Sequence, residues 1–146
     1  MSSQRRRRII PQPSGFGKPR RAAWWAVIGG TALITGVAWL ISQVPGSPQT
    51  STQWLAAAAL GFALLEGIVL SVVAALWSNR GISLAIAASV LTALLATAGR
   101  WEITYARTNR TAEIPDLLLD FGFTMAWAVF AAIVGASVQR ERLKAA

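Results

Sequence analysis

Residues 54–77 read WLAAAALGFALLEGIVLSVVAALW, twenty-four positions bounded by tryptophans, with one ionisable side chain, Glu66, at the thirteenth. At about 1.5 Å per residue a helix of this length reaches roughly 36 Å, enough to cross the ~30 Å hydrocarbon layer of a bilayer. The two tryptophans fall where indole rings favour the headgroup level.

Runs of the same kind lie on both sides. Ala22 to Gln43 contains no charged residue, Ile82 to Ala98 is unbroken, and Leu117 to Val138 carries only Asp120. The links between them are rich in turn formers: Val44-Pro45-Gly46-Ser47-Pro48 after the first run and Ser78-Asn79-Arg80-Gly81 after the second. The third run is followed by the longest expected loop, Trp101 to Asp116, where Pro115 is placed to begin the last helix. The expected fold is therefore all-α and polytopic, with four transmembrane helices at about 22–43, 54–77, 82–98 and 117–138 forming an antiparallel bundle. Residues 1–21 form a basic, Pro/Gly-rich tail expected to be mobile, and residues 139–146 a short C-terminal tail. Composition agrees, because 54% hydrophobic against 14% charged residues leaves too little polar surface for an ordinary soluble domain.

The formal net charge of +8 is unevenly placed. Arg5, Arg6, Arg7, Arg8, Lys18, Arg20 and Arg21 all precede or open the first run. Four crossings return the C-terminus to the side of the N-terminus, so that side collects eleven bases, while Arg100, Arg107 and Arg110 are left on the other. By the positive-inside rule both termini are expected in the cytoplasm, most naturally of a bacterial cytoplasmic membrane. The first run is longer than a signal-peptide core and lacks a small-x-small cleavage site after it, so it reads as a retained helix. The tail bases are expected to contact anionic lipid headgroups, each contributing about 1 kcal/mol near such a surface, which leaves no need to invoke nucleic acid.

Helices in lipid pack through small residues that let backbones approach. Ridges at a spacing of four occur at Ala59, Ala63, Gly67, Ser71 and Ala75 in the second run, Ala85, Ser89, Ala93 and Thr97 in the third, and Thr124, Ala128, Ala132 and Ala136 in the fourth.

Chemistry is sparse. With no Cys and no His, thiolate catalysis, zinc sites and His-ligated haem are excluded, and neither a phosphate loop nor GxSxG nor HExxH is present. No catalytic residue, metal or cofactor is expected. Asn109-Arg110-Thr111 matches the N-glycosylation pattern, a weak signal in an ordinary loop. Glu66 is the informative residue. An acidic side chain near mid-membrane costs about 2.5 to 3.5 kcal/mol on insertion scales, so it should be neutral, meet a donor or face a wet cavity. Thr31, Thr35, Ser89 and Thr92 lie at similar depth as candidate neighbours. Arg100 and Asp120 fall at one level near the ends of adjacent spans and are a candidate interfacial ion pair. Counting helical levels puts Arg100 on the order of 12 to 18 Å from Glu66, out of reach.

These features point to a small integral membrane protein without enzymatic activity, an accessory component that associates with itself or with a larger membrane complex. The alternative is a small proton- or cation-coupled transporter or channel that uses Glu66.

Overall fold

A computed structural model describes residues 21–43, 52–108 and 113–146. Four helices account for almost all of them: α1 (Arg21–Gln43), α2 (Thr52–Trp77), α3 (Ile82–Thr108) and α4 (Ile114–Ala145). Each is long and apolar enough to cross a membrane.

The boundaries follow local chemistry. After α2 the chain makes a single 3-10 turn, Ser78–Arg80, and leaves it through Gly81 at φ 124°. Side chains with a Cβ rarely adopt that angle, so the glycine permits the tight reversal. Its N–H donates to the Ser78 carbonyl at 3.1 Å, while its own carbonyl accepts from the N–H of Ala85 at 3.2 Å and starts α3. At the head of α4, Glu113 is extended and its carbonyl accepts the N–H groups of Asp116 and Leu117, both at 3.1 Å. Pro115 sits in the first turn, where its missing N–H is no loss, and Asp116 complements the positive end of the helix dipole.

Side-chain bonds between helices show that the four run alternately up and down. Trp77 Nε1 donates to the Ala23 carbonyl at 3.0 Å, tying the end of α2 to the start of α1. Ser89 Oγ donates to the Leu70 carbonyl at 2.9 Å, and Ser71 Oγ donates to the Ala131 carbonyl at 3.1 Å. Helices α2 and α3 each touch all the others, and α1 and α4 flank this pair from opposite sides.

The interior is built from small residues. On α3 Ala85, Ser89, Ala93 and Thr97 are all buried, as are Thr124, Ala128, Ala132 and Ala136 on α4. Those two ridges are as the spacing predicted. The α2 ridge is half-buried from Ala63 to Ala75 and lies toward α4, with Ala59 exposed; the most buried stripe of α2 instead includes Glu66, Leu70, Val73 and Trp77. A methyl group on Gly135 would run into the Ser71 carbonyl oxygen, so the α2–α4 approach depends on that glycine. Large side chains point the other way: Leu60, Leu64, Ile68, Val72 and Leu76 repeat at every fourth position of α2 and all are exposed. Small inside and large apolar outside is the pattern of a bundle surrounded by hydrocarbon, and the chain is a four-span membrane protein.

Two lengths differ from the sequence reading. Helix α3 continues through Trp101–Thr108, expected as loop, because those residues contain neither Gly nor Pro and Trp101 and Arg100 are anchored on α4. Helix α4 likewise runs through residues 139–145.

Candidate functional site

At the end of the bundle away from Arg21 and Ala145, α3 and α4 meet in a polar cluster. Arg100 Nη2 lies 3.6 Å from Asp120 Oδ1 and donates to Thr97 Oγ1 at 3.0 Å. The other carboxylate oxygen, Asp120 Oδ2, accepts from Trp101 Nε1 at 2.8 Å. Thr97 Oγ1 in turn donates to Thr124 Oγ1 at 3.3 Å, carrying the network one turn deeper. The ion pair is partly shielded, with side chains 23% and 34% exposed. At 3.6 Å it is an electrostatic contact, and the indole supplies the shorter hydrogen bond. The structure thus brings Arg100 and Asp120 together. The sequence reading had Thr97 as a packing position and Trp101 as the start of a loop, not as partners of the pair, although positions adjacent to Arg100 and three before it were the places to look.

Glu66 is 6% exposed, and its Oε1 has no hydrogen-bond partner among the described residues. Counting from the Leu70–Ser89 contact, it shares its level with Ala93, about seven residues or ~10 Å along the axis from Arg100. No hydrogen bond or ion pair joins the two among the described residues. Cα–Cβ bonds tilt toward a helix's N-terminus, and α2 and α3 are antiparallel, so Glu66 and Arg100 lean toward each other. The lean of Arg100 is visible in its bond back to Thr97 and in its guanidinium, which sits 5.3 Å from the ring centre of Phe62, one turn from Glu66. Its Nε is buried and has no hydrogen-bond partner among the described residues.

Two of the four hydroxyls expected around Glu66 bond elsewhere. Ser89 donates to the Leu70 carbonyl and Thr92 to the Ala88 carbonyl, Thr35 packs against Gly99, and Thr31 Oγ1 is buried without a partner. Among the described residues no cluster of three acidic side chains could hold a metal ion. Of the basic-tail residues, Arg21 is the first residue of α1 and exposed, while Arg5, Arg6, Arg7, Arg8, Lys18 and Arg20 lie outside the described residues, as do Asn109, Arg110 and Thr111.

The arrangement is therefore a polar column on one side of the bundle. An ion pair and an indole stand at the surface, two threonines lie beneath, and a buried carboxyl with an open oxygen follows at mid-span. No family model, no curated protein and no solved structure matches this chain.

Because Arg100 and Asp120 form an ion pair, Arg100→Ala and Asp120→Ala should be non-additive in detergent unfolding, with a coupling of about 0.5 to 3 kcal/mol. Simple additivity would show that the pair contributes nothing jointly.

Proposed function

We propose that this chain is a non-enzymatic membrane component that acts by lateral association, with a second copy or with a larger complex, through the outer face of α1. What supports this is a division among the glycines. Gly30, Gly67, Gly99 and Gly135 face neighbours that an added side chain would crowd. Gly29 and Gly36 lie seven residues apart on one face of α1, exposed, with nothing within 4 Å. Glycine inside a helix is about 1 kcal/mol less favourable than alanine, and no contact with the described residues offsets that at these two positions. A second helix lying along Gly29, Ala32 and Gly36 could approach closely enough to do so. Gly61 and Gly122 are open too, but each is the lone open glycine of its helix.

In this reading both termini lie in the cytoplasm, which the eleven-to-three division of bases supports. A second reading, a small proton- or cation-coupled transporter or channel, is favoured by one observation: Glu66 is buried and its Oε1 has no partner among the described residues.

Three measurements separate these statements. Gently extracted wild-type protein should run as an oligomer or with co-purifying chains in native mass spectrometry, and Gly29→Leu with Gly36→Leu should give a folded single chain; unchanged assembly in the variant, or a lone wild-type monomer, refutes the association. A cysteine at Ser47 should be labelled from outside intact cells and one at Ser14 should not, the reverse pattern overturning the orientation. Glu66→Gln keeps a hydrogen-bonding amide, so under the association reading it leaves assembly and stability nearly unchanged. Under the transport reading it abolishes pH-dependent flux in proteoliposomes while insertion persists, and wild-type vesicles without flux dismiss that reading.

A further inference from the structure

On the side of the bundle away from α1, helices α2 and α4 bound an open groove of about 390 Å³. We infer that it binds one acyl chain of an anionic phospholipid, with the lipid's phosphate at Arg142. The inference does not depend on the association proposed above.

The groove is almost wholly apolar, and its floor offers an occupant no open polar group. Gly67 and Gly135 leave the floor low, and the Ser71 hydroxyl is taken up by the Gly67 carbonyl at 2.8 Å and the Ala131 carbonyl at 3.1 Å. At the deep end stand Trp127 and Phe130, stacked with ring centres 5.6 Å apart. The Trp127 ring is fixed, since Nε1 donates to the Ala63 carbonyl at 3.3 Å and its six-membered ring rests on Gly67. At the other end the lining turns polar, with Gln139 and then Arg142.

Length selects the occupant. Trp127 to Arg142 is fifteen residues of one helix, roughly 22 Å, which is about half of the ~40–45 Å that a bilayer measures with its headgroups. A groove confined to one leaflet suits a lipid chain; a partner's transmembrane helix would cross both leaflets and run past Trp127. Charge selects the headgroup. Close to the mouth the acid is Glu141, and it accepts from Lys144 Nζ at 2.8 Å, which leaves the Arg142 guanidinium to face the groove. A cation at headgroup level above an apolar slot complements a phosphate with no compensating amine, as in phosphatidylglycerol.

The full chain, delipidated and exchanged into an equimolar mixture of phosphatidylglycerol and phosphatidylcholine with matched acyl chains, is assayed for retained lipid by native mass spectrometry. Wild type should retain one phosphatidylglycerol in preference to phosphatidylcholine by about fivefold, the ratio that one base near an anionic surface confers. Arg142→Gln should bring the preference to parity while a lipid is still retained. Val134→Trp fills the groove from a half-exposed lining position and should lose both lipids, whereas Leu95→Trp, at an exposed position of α3 outside the groove, should behave as wild type. Retention at the bulk ratio by wild type, or undiminished retention by Val134→Trp, overturns the inference. Should Val134→Trp fail to fold, the Arg142→Gln arm, a change at an exposed surface position, decides alone: an unchanged preference overturns the inference.

Discussion

Helices immersed in hydrocarbon gain nothing by hiding leucine from it, so what holds this bundle together is the closeness that small residues permit. Ala93, Ala96, Ala128 and Ala131 form the centre of one core cluster, and Ala74, Ala85, Ala88 and Ala132 belong to the other. With side chains this short the helix backbones come near enough for serines and tryptophans to reach carbonyls on the facing helix. Those bonds, Ser89 to Leu70, Ser71 to Ala131, Trp77 to Ala23 and Trp127 to Ala63, set the relative heights of the helices. Dispersion between close backbones supplies attraction, and the sparse hydrogen bonds supply register.

The same constraint explains what could be read from the sequence. Each apolar run was visible because crossing hydrocarbon forbids charge over about twenty residues, a rule that needs no tertiary information. The ridges on α3 and α4 were visible because burial between helices selects Ala, Ser and Thr at a spacing of four. The α2 ridge was misleading in part: its small residues serve the approach of α4, whereas Leu70, Val73 and Trp77 fill the space between all four helices. Two faces of one helix can both be packed, and periodicity alone does not rank them. The end of α3 was not legible either, since Glu102 and Arg107 read as loop, while nothing in Trp101–Thr108 actually breaks a helix.

For the polar column the sequence supplied the members and not their distances. Arg100 and Asp120 could be paired because two antiparallel spans ended near the same level. Setting Glu66 apart from Arg100 counted levels along the axis, as though side chains stood perpendicular to it. An arginine side chain extends several ångströms, and on antiparallel neighbours the Cα–Cβ tilt adds the two reaches instead of cancelling them. Thr97 and Phe62, the residues Arg100 touches on its way inward, mark that direction.

A carboxyl at mid-span that served only to fill space would be poorly chosen, because leucine or alanine would fill it without the insertion penalty. One that served only to bond two helices should show that bond, as Ser89 and Trp127 do. Glu66 shows no such bond at Oε1, which is buried and open among the described residues, while Ser89 and Thr92 at its depth are committed to backbone carbonyls. Arg100 carries a matching open donor at Nε and is held to Asp120 at a distance longer than a hydrogen bond. A guanidinium has five N–H donors in a rigid fork, so it can keep its hold on Thr97 while turning another edge toward a second carboxylate. The column therefore carries one cation, paired to Asp120 near the surface, and deeper in the bundle a carboxyl whose Oε1 is open among the described residues.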